Sequence, residues 1–239
     1  MIDKLLIKLR ARDEISAEEE RALRDAASPV QTLPASHTFI TAGHEVNAST
    51  LLIEGFLCRY KDLSDGQRQI TELHVAGDFA DLHSFTLKRL DHNIMTLTPC
   101  KIVQMPHEKL TGITEQHPHL ARVLWFLTNL DAAIHREWEV SLGRRSALER
   151  TAHLFCELQV RLALAGMPSE REYAFPVTQI ILSECLGLTP VHVNRVLKEL
   201  RERELVEFRS GKVTILDSSG LRQVAEFDPA YLYLEKRAR

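Results

Sequence analysis

The chain has 239 residues, 44% of them hydrophobic and 26% charged, with a formal net charge of −3. That length can bury two modest domains or one large one. No apolar run approaches the roughly 18 residues of a membrane span, and Met1-Ile-Asp-Lys-Leu-Leu is too short and too soon acidic for a secretory signal; no membrane role and a cytoplasmic setting are expected.

In chain order, residues 1 to about 28 read as helical, with Ser16 as an N-cap and Glu19 completing a capping box. From Val30 to about Met105, short runs of Val, Ile, Leu, Phe and Thr are punctuated by Gly43, Gly55, Gly66 and Gly77. Such spacing predicts an antiparallel barrel or sandwich, with Asp65-Gly66 as a hairpin turn. After His107 the period turns helical. Leu120, Val123, Leu127, Leu130 and Ile134, extended by Leu124 and Trp138, form one strip on a helix from about Pro118 to Leu142, about 37 Å long. A strip of this kind is expected to pair with its own copy, although it could instead pack on the barrel. Gly143-Arg-Arg145 is expected to break that helix, and Ser146 with Glu149 opens another to about Ala163. The segment 165–170 reads as a polar, flexible loop.

Thr178 to Lys198 then reads as two short helices joined by a tight turn. Thr178 caps the first, Gly187 ends it, Thr189 caps the second, and Pro190 takes its first position. Val193, Val196, Leu197 and Leu200 form the inner stripe of the second helix. Val191, His192, Asn194, Arg195 and Lys198 are left outside, and Ser183 lets the helices cross closely. This is the pattern of a helix-turn-helix, whose second helix lies in the DNA major groove. Leu205 to Leu216 reads as a hairpin turning at Ser210-Gly211, a wing that carries Arg209 and Lys212 at its tip to reach phosphates. A short helix near Ser219–Glu226 and an aromatic tail, 227–234, complete the chain, the tail tucked onto the DNA-binding domain. From Leu186 to Lys212 there are six cations against four glutamates. The acidic total therefore says little against DNA, which needs positive charge on one face only. The four cysteines, at 58, 100, 156 and 185, are too scattered for a metal site and read as small buried hydrophobes, so no metal ligand is assigned.

Taken together, Ile53-Glu-Gly55, Asp65-Gly66, His74-Val-Ala-Gly77-Asp78-Phe79 and Leu188-Thr-Pro-Val-His-Val-Asn-Arg-Val-Leu197 resemble the Crp/Fnr family of bacterial transcription regulators, over nearly the whole chain. The resemblance implies an α+β chain: a sensor double-stranded β-helix (jelly-roll) barrel over 1–117, a dimerisation helix and hinge over 118–143, and a winged helix-turn-helix over 144–239. It implies a homodimer on a palindromic double-stranded DNA operator, with RNA polymerase as a further candidate partner. Carried over residue by residue, Arg195 matches the family's guanine-reading arginine, as the guanidinium fork suits O6 and N7. Gln179 and Lys198 match positions near the DNA backbone, and Thr189 could donate to a phosphate. Val191 stands where many relatives carry a base-contacting glutamate, so a thymine methyl would be its natural contact.

The sensor is less defined. Asp78 replaces the glutamate of cyclic-nucleotide-binding relatives, and Lys88–Thr96 holds no Arg-Ser or Arg-Thr pair for a cyclic phosphate. Arg89 lies nearby but precedes Leu90. This speaks against cAMP. No cysteine precedes Cys58, which speaks against an N-terminal iron–sulfur cluster. Asp78, His83 and Arg89 are the candidate effector-pocket residues. A haem held by His74, His83 or His92, oxidation of Cys185, and control by abundance alone all stay open. No nucleophile elbow, Walker loop, His-Glu-x-x-His or dinucleotide glycine pattern is present, so an enzyme is not expected. The alternative is a small-molecule or haem sensor whose helical C-terminal domain contacts protein and not DNA.

Overall fold

The computed structural model describes residues 1–168 and 170–239; Ser169, in the loop expected at 165–170, lies outside them. Two helices, α1 (Asp3–Arg10) and α2 (Ala17–Ala26), come first, and both halves of the Ser16–Glu19 capping box are made. The barrel follows: β1 (Gln31–Leu33), β2 (Thr38–Ile40), β3 (Ala48–Glu54), β4 (Leu57–Asp62), β5 (Arg68–His74), the one-turn α3 (Ser84–Leu87), β6 (Asn93–Thr96) and β7 (Cys100–Pro106). Its strands form two antiparallel sheets, ordered β1-β7-β3 and β2-β6-β4-β5. Ile40, Leu52, Leu57, Ile94 and Ile102 from both sheets close one core between them. This is the double-stranded β-helix with its glycine-punctuated turns. Gly77 is required, because its φ is +89° and a Cβ there would lie 2.9 Å from the Lys4 backbone.

Next come α4 (His107–Gln116), the long α5 (Pro118–Arg144) and α6 (Ala147–Leu164). The helix does not break at Gly143. It runs on to Arg144, and the chain turns at extended Arg145 before Ser146 caps α6. Gly143 is solvent-facing, with nothing within reach of a Cβ, so its missing side chain releases no strain that would stop the helix. The boundary is set instead by the cap at Ser146, where the Glu149 N–H and carboxylate lock the new helix start.

The strip on α5 faces inward, which corrects the expected interface. Leu120 and Val123 are buried with α1 and α2, with Leu127 packed beside them; Leu130 and Ile134 are buried with the barrel and α6. At most 9% of Leu120, Val123, Leu130 or Ile134 is exposed, which leaves little for a second copy to cover. The face α5 turns to solvent holds Arg122, Trp125, Asn129, Ala132 and Arg136, alternating in steps of three and four, and Trp125 is 69% exposed. Hydrophobic spacing named the apolar face correctly but could not say which body it packs on.

The C-terminal part comprises β8 (Glu172–Ala174), α7 (Gln179–Leu186), α8 (Pro190–Glu202), β9 (Val206–Arg209), β10 (Lys212–Ile215) and α9 (Ser218–Val224), with a closing 3-10 turn at Pro229–Leu232. The three-residue β8, too short to show a period, was not legible in the sequence; it pairs with β10 and makes the wing a three-stranded sheet, β8-β10-β9. One apolar core runs unbroken from the barrel into this part: Phe56 meets Phe175 edge-on at 5.5 Å, and Leu73 shares a cluster with Phe155 and Leu182. The aromatic tail does lie on α6, with Tyr231 stacked on His153, but it also reaches further. Tyr233 meets Phe126 of α5, and Arg12 donates to the Leu232 and Tyr233 carbonyls at 2.9 and 3.1 Å. All four cysteines are buried and unbridged. Among the described residues no helix is long and apolar enough to cross a membrane.

Candidate nucleic-acid interface

Helix α7 starts where the Thr178 hydroxyl accepts from the Ile181 N–H at 3.2 Å, and it ends at left-handed Gly187, φ +59°. Two residues later the Thr189 hydroxyl accepts from the His192 N–H at 3.2 Å and Pro190 opens α8. Leu182 and Leu186 of α7 pack with Val193, Val196, Leu197 and Leu200 of α8, and Ser183 is buried beneath the crossing, donating to the Ile180 carbonyl. That inner stripe fixes which residues of α8 point out. Asn194, Arg195 and Lys198 are exposed, Val191 is 81% exposed, and His192 is half-buried.

Between α8 and the wing lies an open cleft of about 360 Å³, lined by Gln179, Asn194, Arg195, Lys198, Arg201 and Glu207. The structure therefore gathers four of the residues singled out from sequence and adds Arg201. Helical spacing could have found it, since Arg201 follows Lys198 by three and Asn194 by seven. Arg195 has no ion pair and no side-chain hydrogen bond among the described residues, so its five donors face solvent ready to be used. Lys198 has Glu202 at 3.6 Å, Arg209 has Glu207 at 3.6 Å and Lys212 has Glu172 at 3.0 Å. These exposed pairs are worth little and exchange readily for a phosphate. Ser210 and Gly211, both at positive φ, turn the wing and hold Arg209 opposite Lys212.

The effector residues do not assemble. Arg89 is exposed, bridged to Glu45, and does not line the barrel cavity. Asp78 and His83 do line that cavity, but Asp78 is already paired, with Lys8 at 2.5 Å and Arg161 at 3.0 Å. Burial alone would raise its pKa; the two cations outweigh burial and hold it at about 2. Glu72 and Asp131, the other carboxylates of its lining, are held by Arg59, and Asp81 accepts from the Thr50 backbone. His74 also lines the cavity, whereas His92 lies behind His83, ring centroids 5.4 Å apart. At about 60 Å³ the cavity holds a few waters; pockets for small ligands run to some 300–1,000 Å³. In this conformation neither a cyclic nucleotide nor a haem fits.

Residues 30–117 match the cyclic nucleotide-binding domain, and residues 149–224 match the Crp-like helix-turn-helix domain. The two stretches are the barrel and the helices just described, joined in that order by α5. The chain belongs to the Crp/Fnr family. Among its relatives, the fumarate and nitrate reduction regulatory protein of Vibrio cholerae is 25% identical over 184 residues, 77% of this chain and 73% of that one. The transcriptional activator protein FnrA of Stutzerimonas stutzeri is 23% identical over 211 residues, 88% and 86% of the two chains. Among solved structures, FixK2 from Bradyrhizobium japonicum shares the fold with a TM-score of 0.75 at 22% identity, over 83% of this chain and 96% of that one. This member of the Crp/Fnr family is thus a transcription regulator with a helix-turn-helix DNA-binding domain.

Proposed function

We propose that the chain acts as a homodimer on a palindromic operator, reading it through α8, in a cytoplasmic setting. The barrel 1–117 is the sensor, 118–143 carries dimerisation and leads to the turn at Arg145, and 144–239 binds DNA. The observation that carries the reading is the unpaired, outward Arg195, flanked by Asn194 and Lys198 and facing the cleft beside the wing. Arg195 reads guanine, Gln179, Thr189, Lys198, Arg201, Arg209 and Lys212 hold phosphates, and His192 and Asn194 border the base edges. Val191 offers a methyl-sized apolar contact in place of an acceptor, which gives this regulator an operator of its own. Dimerisation uses the solvent face of α5 centred on Trp125, with the inward strip as its support. Two copies so paired present two α8 helices to major grooves about 34 Å apart.

The signal is not cAMP: Asp78 is consumed by Lys8 and Arg161, and Arg89 lies outside the cavity. No cysteine of the given sequence precedes Cys58, which favours a signal other than an N-terminal iron–sulfur cluster. Whether the regulator recruits RNA polymerase follows from the position of its operator. Selection of bound duplexes from a random pool, followed by anisotropy titrations on single-base variants, tests the reading. Arg195→Ala should lose about 1–3 kcal/mol of discrimination at one base pair per half-site. An unchanged base preference would reject the assignment.

A further inference from the structure

In the wall of the barrel cavity, β5 and α5 bring together Glu72, Asp131 and His135, which have the chemistry of metal ligands, with His74 beside Glu72 as a fourth. Glu72 and His74 project from β5, two residues apart and so on one face of the strand. Asp131 and His135 project from α5, four residues apart and so one turn above each other. Ligand atoms of Glu72, Asp131 and His135 all lie within 4.8 Å of one another, with Glu72 Oε2 3.3 Å from His135 Nδ1. Around a tetrahedral ion with ligand bonds of 2.0–2.2 Å, neighbouring donor atoms stand about 3.4 Å apart. His74 Nε2 is 4.0 Å from the same Glu72 oxygen. It is an independent pointer to a missing partner: His74 is 1% exposed, yet Nε2 has no hydrogen-bond partner among the described residues. A buried imidazole nitrogen left unpaired is costly unless something fills the gap.

Two buried carboxylates here are served by a single guanidinium nitrogen. Arg59 Nη1 donates to Glu72 Oε2 and Asp131 Oδ2, each at 2.8 Å, while its Nε is anchored on the Ala80 carbonyl at 2.7 Å. Arg161, the next cation, is committed to Asp78 and Glu157. We infer that Glu72, His74, Asp131 and His135 form a site for a divalent first-row transition ion, with Arg59 holding the two carboxylates together in the ion's place. Imidazole and carboxylate together suit Zn²⁺, Fe²⁺, Co²⁺ or Ni²⁺ better than Ca²⁺ or Mg²⁺. On binding, the His135 proton that Nδ1 shares with the Asp131 carbonyl at 3.1 Å moves to Nε2, which frees Nδ1 to ligate, and Arg59 Nη1 withdraws from Glu72 while Nε stays on Ala80. Because two ligands lie on the barrel and two on α5, the ion would clamp one to the other.

Co²⁺ alone, titrated into the purified full-length chain, is the probe. One equivalent should bind with the visible ligand-field bands of low-symmetry coordination, and Zn²⁺ should bleach them. His74→Ala should weaken Co²⁺ binding by at least about 100-fold. So should His135→Ala, whose half-exposed position makes it the safer variant to fold, with circular dichroism as the check. His44→Ala, at an exposed position in the barrel, should bind like the parent. Absence of the bands overturns the site, and so does a folded His135→Ala that binds as tightly as the parent, since coordination would then be adventitious. Uptake is measured without DNA, so either failure leaves the operator reading untouched.

Discussion

Asp78 Oδ2 lies 3.0 Å from Arg161 Nη2, joining a carboxylate of the barrel to a guanidinium of the DNA-binding domain. The other oxygen holds Lys8 at 2.5 Å, and Arg161 also donates to the Leu73 carbonyl at 2.7 Å and to Glu157 at 2.9 Å. The residue at the family's ligand-binding glutamate position is therefore a structural tie. Asp78→Asn would leave Lys8 and Arg161 buried with one partner charge fewer, a change that costs about 3–5 kcal/mol when a buried pair is broken. Denaturant unfolding should show it, and an unmoved midpoint would mean the tie contributes nothing.

A pH effect should come from the other end of α5. His119 places Nδ1 2.6 Å from Glu19 and Nε2 3.2 Å from Asp13. Burial lowers its pKa, but the bonds to Glu19 and Asp13 outweigh that and the net shift is upward. A raised histidine pKa stabilises the fold fully below the unfolded value near 6.5, and the benefit is lost as pH rises through the folded value. Stability should therefore decline above about pH 6.5. His119→Gln should flatten that decline in melts across pH 6 to 9; an identical slope in the variant would sink the assignment.

Trp125→Asp should yield monomers by sedimentation velocity while keeping the parent's melting behaviour, because the side chain is 69% exposed and belongs to no core. Leu130→Asp, by contrast, should fail to fold, since Leu130 is 9% exposed inside the chain's own core. A Trp125→Asp protein that remains dimeric would move the interface off this face.

Arg201→Ala should weaken binding evenly across duplex sequences and lower the slope of log affinity against log salt by about 1. Val191→Glu should instead change base preference, by restoring an acceptor on the outer face of α8. Salt titrations on matched and mismatched duplexes separate the two effects, and a sequence-dependent loss with Arg201→Ala would count against a phosphate role.

Much of this was readable in advance because it is local. Caps at Ser16, Ser146, Thr178 and Thr189, the Ser210-Gly211 turn and the 3.6-residue stripe of α8 depend on neighbours within a few positions, so the letters carry them. Where α5 buries its strip is a long-range matter, and periodicity shows a face without naming what covers it. The cluster of Glu72, His74, Asp131 and His135 was hidden for the same reason. It is made by docking β5 against a helix some sixty residues later, and neither pair has the spacing of a recognised motif. Asp78 was legible as a departure from its family, but its partners Lys8 and Arg161 could not be paired with it from the sequence. Arg201 lies within reach of the same local spacing, three residues past Lys198, among the six cations of 186–212.

The tail that clasps Arg12 and Phe126 has a mechanical result. A body tethered at one point may swivel about any axis, whereas one tethered at two turns about the line through them. The DNA-binding domain is held covalently at Arg145 and again where Arg12 grips the Leu232 and Tyr233 carbonyls. The Asp78–Arg161 pair and the shared apolar core fix it at further points, so even rotation about that line is blocked while those contacts stand, and α8 can sweep across DNA only when they open.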